Sequence, residues 1–195
     1  LIDRLVSAQW CDGAGFDNVL GGALAARRLL EAGHTRIGCI SGDGREGSAN
    51  RRRRGFADVL EQAGVPLESV LDVAGDYRFD GGYAATAAMV DNGATAVFCC
   101  NDLMAMGLLR GLRERGLSVP ADMSVIGYDN IMERFGIQIE VTTVEQDVAQ
   151  LARAAWELLS ARIGAPGEGH PWLAEPRTRV LAPCLVDKGS VRDLR

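Results

Sequence analysis

"ATAVFCCNDLMAMGLLRGLRERGLSVPADMSVIGYDN", residues 94–130, holds a complete strand–helix–strand unit. An apolar run at 94–100 passes directly into Asn101 and Asp102. Leu108, Leu109 and Leu112 then mark one face at helical spacing, Gly116 stands where a glycine ends a helix, and Pro120 precedes a second apolar run at 123–127. A strand, a helix and another strand in this order predict two parallel strands joined by a crossover helix.

The same alternation extends upstream. Strand-like runs lie at 36–40 and 70–74. Phe56, Val59, Leu60 and Ala63 predict one helical face, and Tyr83, Ala87 and Val90 another. Gly33, Gly64 and Gly93 each fall just past such a helix, as Gly116 does. The predicted fold is therefore α/β, an open doubly wound parallel sheet.

In such sheets ligands bind beyond the carboxyl ends of the strands. Those ends carry Gly42-Asp-Gly-Arg-Glu-Gly-Ser48, Gly75-Asp-Tyr77, Asn101-Asp102 and Tyr128-Asp-Asn130. Any one of them could be ordinary turn chemistry, since Gly, Asn and Asp populate turns anyway. Together they place hydroxyls, amides, carboxylates and an aromatic ring around one predicted polar pocket.

The first of these ends has the spacing G-x-G-x-x-G, at Gly42, Gly44 and Gly47, which after a strand can mark a dinucleotide site. A dinucleotide helix packs on its sheet from the first turn, yet here Ser48-Ala-Asn-Arg-Arg-Arg-Arg54 follows, and the apolar face is expected to begin only at Phe56. The loop is thus read as a polar pocket rim, with no nucleotide or other cofactor and no metal expected. Successive helical residues point about 100° apart, so Arg51–Arg54 cannot form a single basic patch. Arg52, four residues before Phe56, falls on the inward stripe and is the candidate ligand contact; Arg51, Arg53 and Arg54 read as solvated.

Composition narrows the function classes. The chain has 195 residues, 47% hydrophobic and 24% charged, with a net charge of −5 that gives no overall footprint for nucleic acid. No apolar run reaches the length of a membrane span. The five cysteines lack metal-ligand spacing, and Cys39, Cys99 and Cys100 lie in apolar runs, which predicts reduced thiols and a cytoplasmic setting. There is no G-x-S-x-G elbow and no P-loop, so an enzyme is not expected.

Several stretches resemble the effector-binding region of LacI/GalR-type transcriptional regulators: "DNVLGGALAARRLLEAGHTRIGCISG", "RRRGFADVLEQAG", "VTTVEQD" and "CLVDKGS", together with Asn101–Gly107 and Pro120–Asp129. The resemblance covers nearly the whole chain. It implies a two-lobed sensor resembling type I periplasmic binding proteins, of which this chain holds the second lobe and crossover segments of the first. The expected division is a first-lobe remnant at 1–16, the second lobe at 17–141, a crossover helix toward the first lobe at 142–176, and a terminal strand returning to the second lobe at 177–195. The apolar stripe Val148, Leu151, Ala152, Ala155, Leu158 and Leu159, with Trp156 at its margin, would lie on that crossover helix and lack its usual cover.

Carried onto this sequence, the resemblance assigns effector contacts to Ser48, Arg52, Tyr77, Asn101 and Asp129, with Glu46 a further candidate. Arginine and aspartate suit vicinal sugar hydroxyls, and an aromatic face suits the C–H side of a pyranose. The implied partners are a small-molecule effector, a second copy of the chain and operator DNA, the last only through a helix-turn-helix domain that this sequence does not contain. The loop at 131–135 is a candidate dimer contact, or folds onto its own lobe. Three positions depart from the family pattern. Glu140 stands where a proline precedes the Thr142-Thr143 crossover, Val148 replaces a pocket aromatic of some members, and Lys188 replaces an arginine. The alternative readings are the periplasmic sugar-binding protein of an ABC transporter and, more remotely, a nucleotide-dependent Rossmann enzyme.

Overall fold

The short apolar runs do become strands. A computed structural model describes residues 1–3, 10–42, 47–65, 71–131, 136, 140–163 and 175–195, divided between two compact units. The expectations that fall on Gly44, Glu46, Val70 and residues 132–135 lie outside the described residues.

The larger unit comprises Asn18–Glu145 and Cys184–Arg195. In chain order it contains α1 (Asn18–Glu31), β2 (Ile37–Ser41), α2 (Gly47–Gln62), β3 (Leu71–Ala74), α3 (Phe79–Asp91), β4 (Ala96–Cys99), α4 (Asp102–Glu114), β5 (Ser124–Asp129), β6 (Thr142–Glu145) and β8 (Cys184–Val186). The sheet order is β3-β2-β4-β5-β6-β8, parallel throughout except for the antiparallel β8. The central strands β2 and β4 are wholly buried, as expected of parallel strands covered by helices on both faces. From β2 the chain steps outward to β3, then crosses back to β4 on the other side of β2. The crevice of this doubly wound sheet therefore opens between β2 and β4.

Gly33, Gly64, Gly93 and Gly116 all have φ near +70° to +80° (82°, 75°, 69° and 73°), the left-handed conformation that ends a helix. Two expected helix faces need correction. On α3 the buried residues are Gly82, Ala85, Thr86 and Met89, whereas Tyr83 is exposed, with its hydroxyl donating to Glu114. The stripe is rotated by about one residue because small side chains let α3 pack closely on α4, and a tyrosine would hold the helices apart. On α2 the buried stripe starts at Ala49, well before Phe56, and Ala63 beyond its end is exposed.

Cys39, Cys99 and Cys100 are fully buried free thiols. Contact with Cys100 and burial push the Cys39 thiol up, and burial does the same for Cys99, so both behave as neutral apolar groups.

His34, also fully buried, contributes a pH dependence to folding. The Thr95 hydroxyl gives its proton to the Arg36 carbonyl at 3.1 Å, so it accepts from His34 Nδ1–H at 3.0 Å. Burial, helped by the charges of Arg192 and Arg28, holds the imidazole below its ordinary value of 6.5. Between that folded value and 6.5 the unfolded chain binds more protons than the folded one, so stability falls as pH drops below 6.5. The slope for one such group is at most about 1.4 kcal/mol per pH unit. Urea unfolding at pH 7.5 and 5.5 should show this loss, and His34→Asn should flatten it.

The smaller unit comprises Leu1–Asp17 and Gln146–Pro183. It holds β1 (Gly13–Phe16), α5 (Val148–Ile163) and β7 (Thr178–Leu181), with β1 and β7 paired in parallel. Asp12 ties it together by accepting from both Arg162 and Arg177, which holds its carboxyl well below the usual carboxylate range. The expected boundaries shift accordingly. Thr142–Glu145 is a strand of the larger sheet, not part of the crossover helix, because it bonds to β5 along its length. Thr178–Leu181 pairs with β1, so the return to the larger unit begins at Cys184, not at residue 177. On α5, Leu151, Ala154 and Leu158 pack on Ala14 and Phe16 of β1. Of the expected stripe Ala155 is half-buried against the same cluster, whereas Ala152 is exposed with Ala154 buried in its stead, and Val148, Trp156, Leu159 and Ile163 lie on the surface of this unit.

Candidate functional site

Helix α2 begins at the carboxyl end of β2, which brings Arg52 in its second turn over the crevice. The side chain is buried and its fork is used in full view of three elements. Nε donates to Asn18 Oδ1 at 2.8 Å at the start of α1, and Nη1 donates to the Cys100 carbonyl at 2.7 Å just beyond β4. Nη1 also lies 3.2 Å from Asp129 Oδ1 at the end of β5. The guanidinium carbon sits 3.8 Å from the centroid of the Tyr128 ring, a cation–π contact. Burial, the largest single influence, opposes this charge, but Asp129 together with Tyr128, Cys100 and Tyr77 more than offsets it and pushes the guanidinium pKa up.

Beneath the arginine runs an aromatic chain. The Phe98 ring stacks on Phe56 at 4.8 Å and lies 6.4 Å from that of Tyr128, whose hydroxyl donates to Asn18 at 3.5 Å. Asp129 and Asn130 have φ of 102° and 52°, left-handed backbone that a side chain adopts only under constraint. Asn130 is held by Lys188 Nζ, which donates to its Oδ1 at 2.7 Å, and its own Nδ2 donates to Glu145 at 3.1 Å.

Of the five residues expected at the site, Arg52 and Asp129 are in direct contact. Tyr77 follows β3, also left-handed at φ 63°, and is half-buried. Its phenol occupies the space beside Gly42, where an added Cβ would lie 2.0 Å from the hydroxyl oxygen. The first glycine of the G-x-G-x-x-G spacing therefore makes room for a tyrosine. Asn101 caps α4, its Oδ1 accepting from Met104 N–H at 2.9 Å, while its Nδ2 donates to the Tyr77 carbonyl at 2.9 Å. Its amide thus joins the ends of β3 and β4, a structural duty that the expectation of a simple effector contact did not include. Ser48 lies in the first turn of α2, half-buried and one turn before Arg52 on the same side.

The arginine run divides differently from expectation. Arg53 is not merely solvated, since it is ion-paired with Asp72 of β3; Arg54 is exposed beside Asp58, and Arg51 bonds to the Gly47 carbonyl. The sequence reading put Tyr128 among the strand-end residues of the pocket but did not make it a partner of Arg52, and it assigned no role to Asn18. Neither position signals that it meets an arginine far away in sequence. Among the described residues no cluster of histidine, cysteine and carboxylate side chains could hold a metal ion.

The buried arginine thus sits at the switch point of a doubly wound sheet, paired with an aspartate and lying on a ring. A family profile described as a periplasmic binding protein-like domain matches residues 26–191. A crystal structure of a LacI family transcriptional regulator from Enterococcus faecium with bound ribose superposes with a TM-score of 0.86 at 32% identity, covering 97% of this chain and 68% of that one. The chain belongs to the LacI family. It is 33% identical over 181 residues to the ribose operon repressor of Haemophilus influenzae, covering 92% of this chain and 53% of the repressor. It is 38% identical over 175 residues to the HTH-type transcriptional repressor PurR of Yersinia pestis, covering 89% and 50%. This LacI-family chain thus spans about half the length of the curated relatives it matches. Those relatives are transcriptional repressors. No helix among the described residues is long and apolar enough to cross a membrane.

Proposed function

We propose that this chain is the effector-binding region of a LacI-type transcriptional repressor and that its effector is a monosaccharide. The observation that carries the reading is the Arg52–Asp129 pair, 3.2 Å apart over the Tyr128 ring at the carboxyl ends of β4 and β5. The two side chains present donors and an acceptor in fixed relative geometry, which matches two adjacent hydroxyls. Tyr77 and Ser48 border the same strand ends and complete the proposed contacts, with Asn101 setting the position of Tyr77. The ribose in the Enterococcus faecium regulator makes an aldopentose the first effector to test.

In the proposed mechanism the sugar bridges the two lobes of the sensor, and the closed form binds operator DNA with a different affinity. Operator recognition belongs to a helix-turn-helix domain outside this chain, and the working regulator is a cytoplasmic homodimer. No catalytic step and no cofactor enter the scheme.

The test is a thermal-shift and calorimetric series on the full-length protein. The ligands are D-ribose, other pentoses and hexoses, sugar phosphates and purines. A saturable rise in melting temperature with a sugar, absent in Asp129→Ala, is the expected outcome. A rise with purines alone would overturn the sugar assignment, and no response to any ligand would overturn the effector reading.

A further inference from the structure

Asp102, the first residue of α4, lies outside the proposed ligand contacts, yet its carboxylate is buried and aimed at the strand end that bears Asp129. Its Oδ2 accepts the Ile131 N–H at 2.9 Å, and its Oδ1 accepts the Thr143 hydroxyl at 2.8 Å. The Tyr128 backbone N–H also favours the charged form of this carboxylate. The two N–H groups flank Asp129 and Asn130, the two residues in left-handed backbone. Thr143 in turn accepts from the Asn130 N–H at 3.4 Å.

We infer that Asp102 is a positioning residue for effector binding: it grips the chain on both sides of Asp129 and holds that strained turn so that the Asp129 carboxylate faces Arg52. The inference rests on the reading of Arg52 and Asp129 as effector contacts, and extends it to a residue that touches no effector.

Two further observations support the assignment. An added Cβ at Gly127 would lie 2.3 Å from Asp102 Oδ1, so β5 carries a glycine at the one place where the carboxylate must approach the strand. Burial pushes the Asp102 carboxyl up despite the Thr143, Ile131 and Tyr128 hydrogen bonds, so its charge is a burden on the fold. A neutral side chain of similar shape would be easier to bury. What asparagine cannot do is accept from Thr143 and Ile131 on separate oxygens, because it has one acceptor oxygen where aspartate has two.

The experiment uses two variants of the full-length protein. Asp102→Asn keeps the shape of the side chain and removes acceptors; Gly127→Ala keeps every charge and displaces the carboxylate. In ligand-free crystal structures, Asp129 should sit beyond about 4 Å from the Arg52 guanidinium, outside ion-pair reach, in both variants. Asp129 still seated on Arg52 in both would overturn the inference.

Calorimetry with D-ribose supplies the functional readout. Asp102→Asn should weaken binding about tenfold in the wild-type background and have no further effect when Asp129 is already alanine. Equal weakening in both backgrounds would mean that Asp102 acts through the general fold, and the inference fails. If the wild-type protein takes up no D-ribose while the structures show Asp129 released, the ribose assignment falls and the clamp stands.

Discussion

Replacing Arg52 by alanine is expected to weaken effector binding by about 2–5 kcal/mol, which calorimetry would read as the loss of measurable affinity for a moderate binder. The expectation follows from how completely the guanidinium is committed. It bonds to Asn18 and Cys100, pairs with Asp129 and lies on Tyr128. Alanine would remove the donors meant for the effector and leave Asp129 without its cation. Lysine should rescue only part of the loss, because an ammonium keeps the charge and cannot reproduce a planar fork that serves α1, β4 and β5 together. Asp129→Ala should fall in the same range, and the double variant should be little worse than either single one, since the two side chains act as a unit. Circular dichroism and urea unfolding of each variant separate a lost site from a lost fold. Near-wild-type affinity in Arg52→Ala, in a protein that remains folded, would sink the site assignment.

Phe56→Ala should lower the unfolding free energy by about 3–5 kcal/mol, the usual cost of emptying a large core position. Phe56 is fully buried and stacks on Phe98, which in turn contacts Tyr128 beneath Arg52. The cavity would open in the middle of the α2–sheet interface, where the surrounding backbone belongs to regular elements that cannot collapse into it. Phe56→Leu retains most of the volume and should cost much less. Because the aromatic chain supports the Tyr128 ring, effector affinity in Phe56→Ala should fall as well, even though the residue is remote from the proposed contacts. Denaturant unfolding measures the first effect and calorimetry the second. A loss of stability below about 1 kcal/mol would mean that the stack is not a principal part of the core.

The alternation of strands and helices was legible in the sequence because it rests on local signals. Apolar runs, helical spacing and the glycines at 33, 64, 93 and 116 act within a few residues of one another, and all four glycines adopt the backbone that their positions predicted. That Arg52 faces inward was legible for a related reason, since its spacing to Phe56 is a property of one helix. The convergence of strand ends followed from the general topology of parallel sheets. What lay beyond the sequence was everything that depends on contacts between distant segments. Which face α3 buries was settled by the close approach of α4, and whether Thr178–Leu181 stays with one unit or the other by its pairing with β1. The partners of Arg52 come from α1, β4 and β5, and the clamp on Asp129 comes from the first turn of α4 and from β6. Local periodicity says which way a side chain faces relative to its own helix or strand. Only the packing of the sheet and its helices decides what stands opposite, because that choice is made by close contacts and buried hydrogen bonds between residues far apart in the chain.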